Sequence, residues 1–146
     1  NEPFFSCSFF RQICYNLFMK GYITNIEKAT LENTDYRRVL YTSKNSQLVL
    51  MSIAPDGEIG EETHHLDQFL RFEDGEGKVV LDGVEHMVAD GDAVVIPRGT
   101  RHNVLNVGGT HLKLYSVYSP PEHKDGTVHK TKADEKEEHF DGVTTE

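Results

Sequence analysis

Between Tyr36 and Tyr118 the chain is written almost wholly in short β-favouring runs, "RRVLYT", "SQLVLMSI", "QFLRF", "GKVVL", "VEHMVA", "AVVIP", "HNVLNV" and "LKLYSVY", each closed by turn-forming residues. β-branched and aromatic side chains suit a pleated, half-buried surface. No part of this region repeats its apolar residues at helical spacing. Strands this short and this closely spaced have no helices to cover them, so they must pack on one another as an all-β sandwich or barrel. The joints carry matching chemistry. Asp82-Gly83 between two runs predicts a tight hairpin, and Asp74-Gly75, Asp90-Gly91 and Gly108-Gly109 predict the same at neighbouring joints.

At 146 residues the chain has the size of one ordinary domain and can bury a core without covalent staples. Asp plus Glu number 24 against 15 Lys plus Arg, for a net charge of -9. Such a surface repels phosphate backbones and anionic headgroups, so neither nucleic acid nor membrane is an expected partner. No apolar stretch is long enough to span a bilayer. Cys7 and Cys14 both fall near the N-terminus. The rest of the chain therefore holds no disulfide, which agrees with a cytoplasmic home.

The composition divides the chain into three. Residues 1–18, "NEPFFSCSFFRQICYNLF", are aromatic-rich but interrupted by Arg11 and Gln12, and lack the pattern of a secretory signal. Met19 is the expected native start, with a short packed helix or strand as the alternative for the residues before it. Residues 19–120 hold the β-rich domain. Pro120-Pro121 ends the last strand, because two prolines cannot continue a ladder. Residues 121–146 are polar and charged and are expected to form a solvated tail draped over the domain. A short helix is expected there around Ala133 to His139, with Thr131 as cap and Asp134 as its partner.

Two stretches carry candidate chemistry. In "EETHHLDQ", residues 61–68, side-chain alternation along an extended strand puts Glu62 and His64 on one face, about 6 to 7 Å apart at the backbone. His65 then points the other way, to a turn or rim. Gln68 would lie roughly 13 Å from His64 in a straight strand, so both can serve one ion only if the chain bends near Leu66-Asp67. In "GDAVVIPRGTRHNVLN", Ala93 to Ile96 reads as a buried strand, Pro97 and Gly99 as a turn, and His102 as the opening of the returning strand.

Together these stretches resemble the paired motifs of the cupin superfamily. The second motif is glycine, five residues, proline, one, glycine, two, histidine, three, asparagine, and it is matched by Gly91, Pro97, Gly99, His102 and Asn106. The first motif, aligned on its closing glycine at Gly75, sets Glu62 at the first histidine, His64 at the second and Gln68 at the glutamate. The resemblance covers about Tyr36 to Tyr118. It implies a double-stranded β-helix, the cupin jelly-roll barrel, with metal and substrate in its interior. The implied ligands are Glu62, His64, Gln68 and His102. Two imidazoles, a carboxylate and an amide suit Mn, Fe, Co or Ni, and also Zn.

Alternatives stand beside several of these residues. Glu62 reads as a ligand or as a surface carboxylate, and Gln68 as a ligand or as a hydrogen-bond partner of the barrel wall. Asn106 and the motif glycines read as turn architecture, and His86, His111, His123, His129 and His139 as surface histidines. Leu70 and Phe72 share the parity of Gln68 and should line a mostly apolar pocket, with Arg71 outward.

The function implied is a small-molecule enzyme in which a divalent ion acts as Lewis acid on a sugar-like or carbonyl substrate, as in isomerisation, with Glu62 as a candidate base. An Fe(II)-dependent dioxygenase and a non-catalytic ligand-binding or sensor barrel are the alternatives. A metal-free epimerase would need a histidine oriented by a carboxylate, and no such pair is evident from spacing. An open sheet edge gives a physical reason to expect a homodimer.

Overall fold

The computed structural model describes residues 20–146. Residues 1–18 and Met19, with the expectations placed on them, lie outside the described residues. Among the described residues one helix, α1 (Ile26–Glu32), precedes nine strands: β1 (Arg37–Thr42), β2 (Gln47–Ile53), β3 (Asp67–Asp74), β4 (Glu76–Leu81), β5 (Val84–Ala89), β6 (Ala93–Ile96), β7 (His102–Asn106), β8 (Leu112–Ser119) and β9 (Val128–His129). The first eight strands fall on the eight β-favouring runs. Helix α1 is seven residues long and buries only Thr30, so no apolar stripe announces it in the sequence. Its start is made by Asn25, whose side chain accepts a hydrogen bond from the Lys28 amide at 3.0 Å.

The strands pair antiparallel in two sheets, a six-stranded one in the order β6-β3-β8-β2-β1-β9 and a three-stranded one in the order β5-β4-β7. Val79, Val88 and Val104 from the small sheet and Val49, Met51, Leu70, Phe72 and Leu114 from the large one join a single buried cluster. The core therefore lies between two facing sheets, as in the all-β jelly roll expected. Leu70 and Phe72 are fully buried in it, and Arg71 between them is partly exposed.

Among the four expected hairpins only Asp82-Gly83 joins paired neighbours, β4 and β5, with φ of 45° and 83° as a type I′ turn requires. Asp74-Gly75, Asp90-Gly91 and Gly108-Gly109 instead carry the chain from one sheet to the other. The turn chemistry is the same, but which strand the chain pairs with next is set by the packing of the two sheets. The run Ala93 to Ile96 is likewise not a buried strand. It is β6, the edge of the large sheet, where Ile96 is buried and Val95 is 64 % exposed.

Gly75 shows how tightly one of these crossings is built. Its φ is +93°, and an added Cβ would meet the His111 carbonyl oxygen at 2.8 Å and Leu112 Cα at 3.0 Å. Gly99 has a similar φ of +83° but open space around it. Gly75→Ala is expected to cost about 3 kcal/mol or more, from left-handed strain plus a backbone clash that cannot relax cheaply. Gly99→Ala should cost about 1 kcal/mol. Urea unfolding of the two variants side by side checks the difference.

Beyond Pro121 the chain returns to the domain. β9 adds to β1 with Arg37 opposite His129. The helix expected around Ala133 to His139 is one 3-10 turn, Lys132–Asp134, with the anticipated capping box between Thr131 and Asp134. Residues 135–138 then lead, without regular secondary structure, to a bridge between His123 and His139.

Candidate metal centre

The segment before β3 pairs with β7 rather than hanging as a loop. Glu62 and His102 exchange both backbone hydrogen bonds, at 2.8 and 2.9 Å, and so stand directly opposite each other. A cross-strand pair of this kind turns its two side chains to one face, and His64 shares the parity of Glu62. The His64 carbonyl is held by the Gly99 amide at 2.9 Å, so the motif turn at Pro97 to Gly99 also positions the second histidine.

Three of the four expected ligands therefore converge. Glu62, His64 and His102 each offer a ligand atom, all within 4.8 Å of one another. His64 Nε2 lies 3.1 Å and His102 Nε2 3.9 Å from the same Glu62 oxygen. The outer ring nitrogens are oriented as well. His102 Nδ1 lies 2.9 Å from the Thr100 carbonyl, a contact that requires the proton on Nδ1 and leaves the Nε2 lone pair facing the cluster. His64 Nδ1 lies 3.7 Å from Glu122. Gln68 is buried on β3, donating from Nε2 to Ser116 Oγ at 3.1 Å.

A buried polar atom without a partner is costly. His102 Nε2 and Gln68 Oε1 are among the buried side-chain atoms that lack one within the described residues. His102 Nε2 also belongs to the Glu62, His64 and His102 cluster, so the residues present fit a divalent cation of the Mn, Fe, Co, Ni or Zn type. His65 is exposed. Asn106 is architectural, donating to the Ile53 and Thr110 carbonyls and accepting from the Gly108 amide.

The surroundings differ from the apolar pocket expected. A cavity of about 290 Å³ includes Arg37, Glu62, His64, Glu122, His123 and Glu135 in its wall. Leu70 and Phe72 face inward but are covered as core. Two of the histidines read as surface residues are not on the surface. His129 is buried, while His123 hides its Nε2 and packs edge-on against Tyr118. His86, His111 and His139 are exposed. Arg37 carried a legible signal, since it shares the inward parity of Val39 on β1. Glu122, His123 and Glu135 did not, because they reach the site from a segment that reads as solvated.

The fold is matched by comparison. Residues 49–118 match the family model described as the cupin domain. The chain belongs to the cupin superfamily. It is 47% identical over 131 residues to the uncharacterized protein YrkC of Bacillus subtilis, covering 82% of this chain and 70% of that one. It is 42% identical over 113 residues to the uncharacterized protein L612 of Acanthamoeba polyphaga mimivirus, covering 73% of this cupin and 70% of the viral protein. The crystal structure of BH2720 from Bacillus halodurans superposes with a TM-score of 0.77 at 47% identity, over 79% of this cupin and 92% of that chain.

Electrostatics at the centre follow from burial and pairing. Burial by itself would raise the Glu62 carboxyl, but the hydrogen bond to His64 and the charges of His64, Arg37 and His102 hold it below the ordinary carboxylate value of 4.5. Burial opposes a charge on His64, yet Glu62 and Glu122 lift it above the ordinary 6.5. Burial, with Arg37 and His64 nearby, pushes His123 down to about 2, so its ring is neutral at physiological pH. A proton on His64 competes with a cation, whereas Glu62 stays ionised down to pH 4.5 and below. Mn²⁺ affinity is therefore expected to weaken as pH falls, beginning above the ordinary imidazole value of 6.5. Calorimetric titration at stepped pH checks this.

Proposed function

We propose that this cupin is a metal-dependent enzyme acting on a small organic molecule with a carbonyl beside a hydroxyl, in an isomerase-type reaction. The observation that carries the reading is the buried, unpartnered Nε2 of His102, set beside Glu62 and His64 in one cluster. Glu62, His64 and His102 would hold the ion, with the Gln68 amide oxygen as a fourth donor. When bound, a divalent ion supplies a Lewis acid for a carbonyl or hydroxyl oxygen.

The protein's own groups do the rest. Glu62 is kept ionised at neutral pH, so when it is not engaged by the ion it can accept a proton from a carbon or hydroxyl brought beside it. His102 is fixed in one tautomer by Thr100, and His64 is oriented between two carboxylates. His123, kept neutral, can hydrogen-bond an uncharged hydroxyl without repelling Arg37.

A metal-free acid–base reading also has an observation behind it. A histidine set between two carboxylates is present, in His64 between Glu62 and Glu122, the second of which spacing did not reveal. That reading leaves His102 Nε2 and Gln68 Oε1 without a use, so the metal reading accounts for more of the site. The test is protein purified without added metal, followed by elemental analysis and assay against a panel of hydroxy-carbonyl compounds. Stoichiometric metal and turnover that stops on chelation are expected. Turnover that survives chelation points to His64 acid–base chemistry, oxygen uptake to a dioxygenase, and ligand binding without turnover to a binding module. Each of those results overturns the proposal.

A further inference from the structure

The metal reading leaves one strong charge without a role. Arg37 projects from β1 into the same cavity as Glu62 and His64, and its side chain is 3% exposed. A buried guanidinium needs an anion beside it. Its anion is Glu135, whose Oε2 accepts from Arg37 Nη1 at 2.6 Å. His129 Nδ1 lies 3.5 Å from the same nitrogen. Arg37 Nε is buried with no partner among the described residues. Glu135 accepts from Nη1 alone, so among the described residues the end-on fork of Nη1 and Nη2, which suits a planar carboxylate, has only one tine in use.

Glu135 does not belong to the rigid sheets. It lies on a strap that leaves β9, turns at Lys132–Asp134 and regains the domain at the bridge between His123 and His139. Between those anchors, residues 130–139 are exposed. The strap is fastened by polar contacts, Lys132 Nζ to the Glu58 carbonyl at 2.8 Å and the Phe140 amide to the Glu122 carbonyl at 2.9 Å. Such a segment opens at lower cost than a strand packed in the core.

We propose that the substrate of this site is a small carboxylate with a hydroxyl or carbonyl oxygen on the adjacent carbon, and that its carboxylate takes the Arg37 guanidinium in place of Glu135. The adjacent oxygen then faces the Glu62, His64 and His102 cluster, so this assignment rests on the metal reading for that half of the molecule. One carboxylate replaces another, and the buried positive charge is never left alone. The incoming group can span Nη1 and Nη2 end-on, where Glu135 reaches Nη1 alone. Glu135 and its strap act as a plug that yields to anions and not to neutral molecules. The cavity of about 290 Å³ accommodates a molecule of a few carbons.

The experiment is calorimetric titration of the full chain with lactate, and with lactamide as its uncharged counterpart. Elemental analysis accompanies every sample. Wild type is expected to bind lactate at least tenfold more tightly than lactamide. Glu135→Gln should strengthen lactate binding about tenfold, Arg37→Gln should weaken it at least tenfold, and neither should move lactamide. Hydrogen exchange of residues 130–139 should rise when wild type binds lactate. Because Arg37→Gln removes a buried charge and can fail to fold, Glu135→Gln decides the matter. Unchanged lactate affinity in that variant, or equal affinity for lactamide in wild type, overturns the proposal. Lactate binding that follows both substitutions in protein free of metal upholds the anion seat and sinks the metal reading, so the two fail separately.

Discussion

Replacing His102 with alanine should lower the affinity for a divalent ion on the order of 100-fold or more. That exceeds the ~10–100-fold cost of losing only an outer-shell partner of a metal ligand. The reason lies in how little of the site adapts. His102 Nε2 is buried, its ring is pinned by the Thr100 carbonyl, and Glu62 is paired to its backbone. His64→Ala should lose metal to a similar degree and should also free the Glu62 carboxyl, which then rises toward its ordinary value. His65→Ala is the internal control, because the adjacent histidine is exposed and should leave metal content unchanged. Elemental analysis and a competition titration against a chromophoric chelator read all four proteins. Equal metal content in wild type, His102→Ala and His64→Ala would refute the metal reading.

Phe72→Ala should have the largest effect on stability, about 3–5 kcal/mol, as transfer and cavity costs add. Phe72 is 0% exposed at the centre of the cluster between the sheets. Its strand β3 is fixed on both sides, by β6 and by β8, so the walls cannot collapse into the void. A domain of this kind holds only about 5–15 kcal/mol in total, and Tm should fall by roughly 10–20 °C. Val95→Ala, on the exposed edge strand, should change stability by no more than about 0.5 kcal/mol. Denaturant unfolding monitored by circular dichroism measures both, and a Phe72→Ala protein as stable as wild type would show that Phe72 does not hold the two sheets together.

The two variants separate fold from site. His102→Ala removes a ligand from a frame that should still fold, whereas Phe72→Ala weakens the frame and spares every candidate ligand. Metal content normalised to folded protein should therefore fall in the first and hold in the second.

What the sequence determined by itself was local. Eight strands were legible because period-two alternation and β-branched side chains report which face of a strand is covered, and that depends on near neighbours. The second-motif spacing set Pro97 and Gly99 to turn the chain back to His102, and alternation joined Glu62 to His64 while excluding His65. What only the tertiary structure decided depended on which strand came next in space. Asp82-Gly83 and Asp74-Gly75 look alike, yet one closes a hairpin and the other crosses between sheets. Ala93 to Ile96 is apolar enough for a core and instead forms an edge. Above all, Arg37, Glu122, His123 and Glu135 meet in one cavity because β9 pairs with β1 and the tail folds back across the mouth. No periodicity encodes that return, since polar residues that solvate a tail and polar residues that line a site are chemically the same, and only long-range pairing tells them apart.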